Sequence, residues 1–112
     1  MRRFLLFIAI LLVGCNPCGN DPIHAVTSTD GSKVAIAFIR DCGATTGFST
    51  QVSIVKAPGR LPNEPGNVLI VDGKVPLSLE WVGDNKLVIY GSLGARESKR
   101  LLTFEEITVD YQ

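Results

Sequence analysis

The chain has 112 residues, 46% of them hydrophobic, with eleven basic and eleven acidic side chains. A formal charge of zero, with no block of like charge, excludes a strong electrostatic case for nucleic acid and gives no charged disordered tail. The length holds one small domain and no more.

Residues 1–15, MRRFLLFIAILLVGC, set the frame for everything after them. Arg2 and Arg3 form a positive start, Phe4 to Val13 is unbroken apolar sequence, and Gly14 precedes Cys15. That is the pattern of a secretory signal. A membrane-spanning helix needs about 20 apolar residues. This run is shorter, and Asn16-Pro17 ends it. Leu12-Val13-Gly14-Cys15 resembles the lipobox of bacterial lipoproteins. The resemblance implies cleavage after Gly14, diacylation of the Cys15 sulfur and frequent acylation of the new amino terminus. Two or three chains anchor a protein stably where one holds it only marginally. The expected organisation is a signal peptide over 1–14, a lipidated tether over 15–22 and a small all-β domain over 23–112. The very apolar run, with no lysine after it, points to the general secretory route rather than twin-arginine export. Asn16, where an Asp would retain such a protein in the inner membrane, implies by the same resemblance the periplasmic face of the outer membrane in a host that has one.

Loss of residues 1–14 leaves 98 residues, in which nine basic side chains face eleven acidic ones. With Cys15 occupied by lipid, Cys18 and Cys42 remain in an oxidising compartment, where disulfides persist. Their bridge would close a loop of roughly 24 residues, for about 3 kcal/mol in the chain-entropy picture. Free thiols or a metal site are the alternatives, although two cysteines and one histidine make a poor zinc set.

Along the chain, 16–22 is rich in turn-formers and reads as the tether. Residues 23–28 alternate weakly, as a first strand. Thr29-Asp30-Gly31-Ser32 is a turn able to close a hairpin. Lys33 to Arg40, KVAIAFIR, is the strongest strand: Val34, Ile36 and Phe38 face one way, Ala35, Ala37 and Ile39 the other. Both sides are apolar, so it should be central and covered on both faces. A loop carrying Cys42 follows, then a strand over 48–57 with Val52 and Ile54 on one face. The proline-rich stretch 58–66 is a surface loop. Strands are expected over 67–72, 77–82 and 86–90, a loop or single helical turn over 95–100, and a last strand within 101–111.

Seven short strands joined by turns predict an all-β domain, a small antiparallel sheet or sandwich. A polar turn and a lysine introduce both VAIAF and LVIY, a pattern reminiscent of β-propeller blades. The chain is too short to close a propeller.

The stretch 40–54, RDCGATTGFSTQVSI, resembles the signature of an uncharacterised family of small bacterial lipoproteins. Cys18-Gly19-Asn20, the Ser28–Lys33 turn, Gly66-Asn67-Val68 and the late Trp81 match further motifs of that family. The chain is shorter than many members between Asp72 and Trp81. The resemblance implies a Cys18–Cys42 pairing, since both cysteines fall in family motifs, and implies no activity.

No catalytic constellation emerges. Cys42 beside Asp41 would need a lowered pKa to act as a nucleophile, and a disulfide would remove its thiolate. His24, the lone histidine, has no spaced partner for base or ligand work. Trp81 and Tyr90 lie on apolar strand patterns that predict packing. Glu105-Glu106, read as part of a strand, point to opposite faces and form no acid–base dyad. Gly91-Ser92-Leu93-Gly94 lacks the spacing of a phosphate loop. Thr45, Thr46, Ser49, Thr50 and Gln51 form a polar cluster after Cys42. It is either a binding loop on a rigid sheet or turn chemistry in which hydroxyls bond the backbone.

The expectation is therefore a lipid-anchored envelope protein, held to the membrane through Cys15, with no cofactor, metal, nucleic acid or small-molecule substrate identified. Its expected role is a non-enzymatic binding module with an envelope protein partner, or with a toxin or phage component in the manner of immunity or exclusion lipoproteins. A structural or assembly accessory is the alternative, and a thiol-redox factor using Cys42 a third. The end of the domain far from Cys18 would face a partner across the periplasmic space, and the Cys42 loop a partner in the same membrane.

Overall fold

The computed structural model describes residues 17–43 and 46–112, so the signal stretch, Cys15 and Thr45 lie outside the described residues. Nine strands follow in chain order: β1 (Gly19–Thr27), β2 (Lys33–Asp41), β3 (Phe48–Lys56), β4 (Leu69–Asp72), β5 (Ser78–Trp81), β6 (Lys86–Tyr90), β7 (Glu97–Arg100), β8 (Thr103–Phe104) and β9 (Ile107–Tyr111). They form two sheets, ordered β1-β2-β3-β4-β7 and β5-β6-β9-β8. The domain is all-β, as the alternation of its sequence predicts, and its strand pairs are antiparallel except for β6 with β9. The Lys-led turns lie in different sheets. β1 to β4 run as a simple meander that the second sheet does not repeat.

The main interior lies between the sheets. Ala35 and Ala37 of β2, Val52 and Ile54 of β3, and Leu69 and Val71 of β4 join one buried cluster with Leu79, Leu87, Ile89, Ile107 and Val109 of the second sheet. β2 is central and buried on both faces, as its sequence requires. Val34, Ile36 and Phe38 turn to the opposite side and form a second, smaller core with Val55 and Leu61. Leu61 belongs to the proline-rich segment between β3 and β4. That segment is more than a surface loop, because it lies over the outer face of β2. Phe38 is completely buried beneath it, a contribution of about 1.5–3 kcal/mol from its apolar surface.

Polar side chains hold that cover in place. Asn20 donates its amide to the carbonyls of Pro62 (3.0 Å) and Glu64 (2.9 Å). Arg40 donates to Asn20 Oδ1 (2.7 Å) and Asn63 Oδ1 (3.0 Å), and Asn63 donates to the Cys18 carbonyl (2.9 Å). Farther along, Asn67 substitutes for a strand. Its side-chain oxygen accepts from the Ile54 N–H and its amide donates to the Ile54 carbonyl, both at 2.9 Å. Beside it the backbone packs so closely that a Cβ on Gly66 would lie 2.8 Å from the Val52 carbonyl oxygen and 2.9 Å from that of Leu69. Only glycine fits there without displacing backbone.

Three expectations change. β1 begins at Gly19, inside the span read as tether, because Gly19 to Pro22 pair with Asp41 to Phe38 and continue the hairpin ladder. Residues 97–100 form a strand rather than a loop or helical turn, since β7 pairs with the edge of β4. The expected last strand is two strands. Glu105 turns the chain between β8 and β9 with φ of 55°, a conformation that favours glycine. Glu105 and Glu106 are thus turn residues, not neighbours on a strand.

Candidate functional site

The β1–β2 hairpin has two ends of different construction. At the turn end, Ser28 donates its hydroxyl to Asp30 Oδ1 (2.8 Å), which also accepts from the Ser32 N–H (3.0 Å) and hydroxyl (2.8 Å). The Ser28 oxygen in turn accepts from the Lys33 N–H at 3.1 Å. These donors, the Ser32 N–H foremost, hold the Asp30 carboxyl down at about 2. The second sheet reaches this end: Trp81 Nε1 donates to the Val26 carbonyl (2.9 Å) and Thr29 to the Gly83 carbonyl (3.1 Å).

At the open end, Cys18 and Cys42 form a disulfide. Gly19 pairs with Asp41, so the two cysteines occupy the next step of the same ladder and close the hairpin's free ends. Here the two faces of the sheet diverge. Asn20, Arg40, Ser49 and Asp72 share a cross-strand row, so their side chains lie on the outer face, the side of the smaller core. That face holds a depression of about 280 Å³ lined by Arg40, Cys42, Thr46, Ser49, Gln51 and Asp72, among others. The opposite, inner face carries Gly19, Asp41 and Phe48 in one row and Asp21, Ile39 and Thr50 in the next. Beyond Thr50 the main interior stops, and a shallow groove of about 700 Å³ opens along Pro17, Asp21, Ile23, Ile39, Asp41 and Phe48. Ile23 and Phe48 are each 45% exposed. Lys74 sets its ammonium 4.1 Å from the Phe48 ring centroid.

The polar cluster after Cys42 does not come together as one surface. Thr46 donates its hydroxyl to the Gly43 carbonyl at 3.1 Å. Gln51 is buried, donating to Ser49 Oγ (2.7 Å) and accepting from the Gly66 N–H (2.6 Å). Thr50 is buried on the inner face, donating to the Gly73 carbonyl (2.6 Å) and accepting from the Val75 N–H (2.8 Å). The Thr46 bond is local to the loop, whereas those of Thr50 and Gln51 tie β3 to the segments on either side of β4. Thr46, Ser49 and Gln51 still line the outer depression.

Elsewhere, Tyr90 donates to Glu80 Oε1 at 2.6 Å, and that bond raises the tyrosine's pKa. Tyr111 donates to the Leu101 carbonyl (2.7 Å), and burial pushes its hydroxyl up to about 12, opposed by Arg100 over its ring. Both belong to sheet construction. Among the described residues no group of three or more His, Cys, Asp or Glu side chains is placed to hold a metal ion. The inner groove carries no sequence signal, because its residues are scattered along the chain and marked by no motif. Compared with known protein families, curated proteins and solved structures, the chain matches none of them.

Proposed function

We propose that this chain is a bacterial lipoprotein, anchored through lipid on Cys15, that acts as a non-enzymatic binding module at the envelope membrane. The observation that carries the reading is the run Leu12-Val13-Gly14-Cys15 at the end of a short apolar segment, three residues before the disulfide-bonded Cys18. Other features support it. The Cys42 sulfur is engaged in a bridge, which leaves no thiolate for redox or nucleophilic work in the oxidised protein. The hairpin is pinned at both ends, which suits a rigid platform for recognition. The resemblance to small bacterial lipoproteins agrees with the anchor. The partner is an envelope protein, or a toxin or phage component if the role is immunity or exclusion. It meets the end built from the Ser28–Lys33 turn and the exposed Val82 and Gly83, which lies away from the bridge.

The test has two arms. Cys15→Ser should move the protein from the membrane fraction to the soluble envelope fraction and abolish labelling by a fatty-acid analogue. Unchanged membrane retention and labelling would remove the anchor. Crosslinking in intact cells from a probe at Asp84 should then recover one defined partner by mass spectrometry. Recovery of abundant bystanders alone would remove the binding role.

A further inference from the structure

The inner groove at the bridged end has an exposed apolar floor with charged side chains on its walls. Pro17 is its first wall residue. Two residues of extended chain span at most about 7 Å, so Cys15 lies no farther than that from Pro17. If Cys15 bears the lipid, its acyl chains enter the bilayer and its backbone stands at the headgroup layer. That layer is roughly 5–7 Å deep on each side of the hydrocarbon core. The Pro17 wall of the groove is therefore held within a few ångströms of the headgroups, and the rest of the groove reaches them when the inner face turns toward the membrane.

We infer that the groove at the Cys18–Cys42 end is a membrane-docking face, in which Ile23, Ile39 and Phe48 meet the headgroup–acyl boundary of a zwitterionic phospholipid surface. This rests on the lipid anchor proposed above. The groove's chemistry fits that surface. Ile23 and Phe48 offer apolar surface that the second sheet leaves uncovered. An aromatic ring with a lysine over it suits the interface, where the ring settles among headgroups and the ammonium extends to a phosphate. Asp21 and Asp41 lie on the same wall and are complementary to the ammonium of phosphatidylethanolamine. One cation and two anions around an apolar floor match a zwitterion better than an anionic lipid, which the carboxylates would repel. Docking fixes the orientation of the domain: β1 to β3 stand away from the membrane and present the Ser28–Lys33 turn outward.

The full-length protein, acylated in a bacterial host, is reconstituted into phosphatidylethanolamine-rich vesicles with a photocrosslinking p-benzoylphenylalanine at Phe48, at Ile23, or at Asp84 in the far turn. The mass of the amino-terminal peptide reports acylation of Cys15 separately. With Cys15 acylated, the probes at 48 and 23 should crosslink phospholipid about tenfold more than the probe at 84, the ratio that burial of one apolar side chain supplies. Equal yields at all three positions on an acylated protein overturn the docking face and leave the anchor standing. So does a crosslink confined to the protein's own acyl chains or to a second protein molecule. An unacylated Cys15 overturns the anchor, and the docking face with it.

Discussion

The two ends of the β1–β2 hairpin solve one problem in different ways. Each must stop a pair of long strands from fraying. The turn end does so with Asp30 and its three donors in an exposed turn, and Trp81 ties the neighbouring strand to the second sheet at Val26. The open end does so with a covalent bond and with the Asn20, Arg40 and Asn63 bonds to the covering segment on the outer face, while its inner face stays exposed. The inner face is therefore left open beside the bridge, whereas toward the turn end the same face is taken by contact with the second sheet.

The largest separation of the two ends should come from the bridge. Replacing both cysteines, Cys18→Ser with Cys42→Ser, is expected to cost about 3 kcal/mol in urea unfolding, because the loop between them regains its freedom in the unfolded chain. Amide exchange should accelerate at Gly19–Asp21 and Ile39–Asp41 and hold steady around Ser28–Lys33. Equal acceleration at both ends would mean that the hairpin is one unit and that the contrast is false. A smaller effect, about 1 kcal/mol, is expected for Trp81→Phe, which keeps the packing but leaves the Val26 carbonyl without its indole donor. Followed by circular dichroism, that loss should appear as a lower midpoint with an unchanged denaturant slope. Smallest is Asp30→Asn, read through pH. The folded carboxyl titrates near 2 and its ordinary value is 3.8, so the ionised form is favoured by folding. Its contribution is complete above about pH 4 and fades as pH falls toward 2. The variant should be less stable than the parent across the neutral range, lack the acid-limb titration, and converge with the parent as pH falls toward 2. An identical acid limb would show that the turn network does not stabilise the hairpin.

Much of this fold is legible in the residues. β2, β3 and β6 declare themselves by runs of apolar and β-branched residues, and the demand of β2 for cover on both faces is met. What covers the second face is not legible. Leu61 is a single apolar residue among prolines and polar side chains, and the bonds that fix its segment join Asn20 to carbonyls more than 40 residues away. β7 escapes for a related reason: Glu-Ser-Lys-Arg has no apolar rhythm, and only pairing with β4 makes it a strand. The turn at Glu105 escapes because a glutamate in a glycine-like conformation carries no turn signal. At the candidate site, the Cys18–Cys42 bridge follows from the two cysteines left once Cys15 is read as lipidated, and the Thr46 bond from turn chemistry, whereas the Thr50 bonds to Gly73 and Val75 are long-range and carry no local signal. The groove does not, because it is defined by where the second sheet ends, and strand patterns do not encode the reach of one sheet over another.

The path of the chain between the sheets has its own consequence. After β6 the chain leaves the second sheet to lay β7 on the first, then returns as β8 and β9, with β9 seated between β8 and β6. The two layers are thus sewn together by one thread rather than stacked as finished pieces. Sheet two lacks its middle until β7 has docked on sheet one, and sheet one lacks an edge until the chain has left sheet two. Partial unfolding has no seam along which to part them, so the domain should melt in one step, and its slowest amides in both layers should exchange at a common rate.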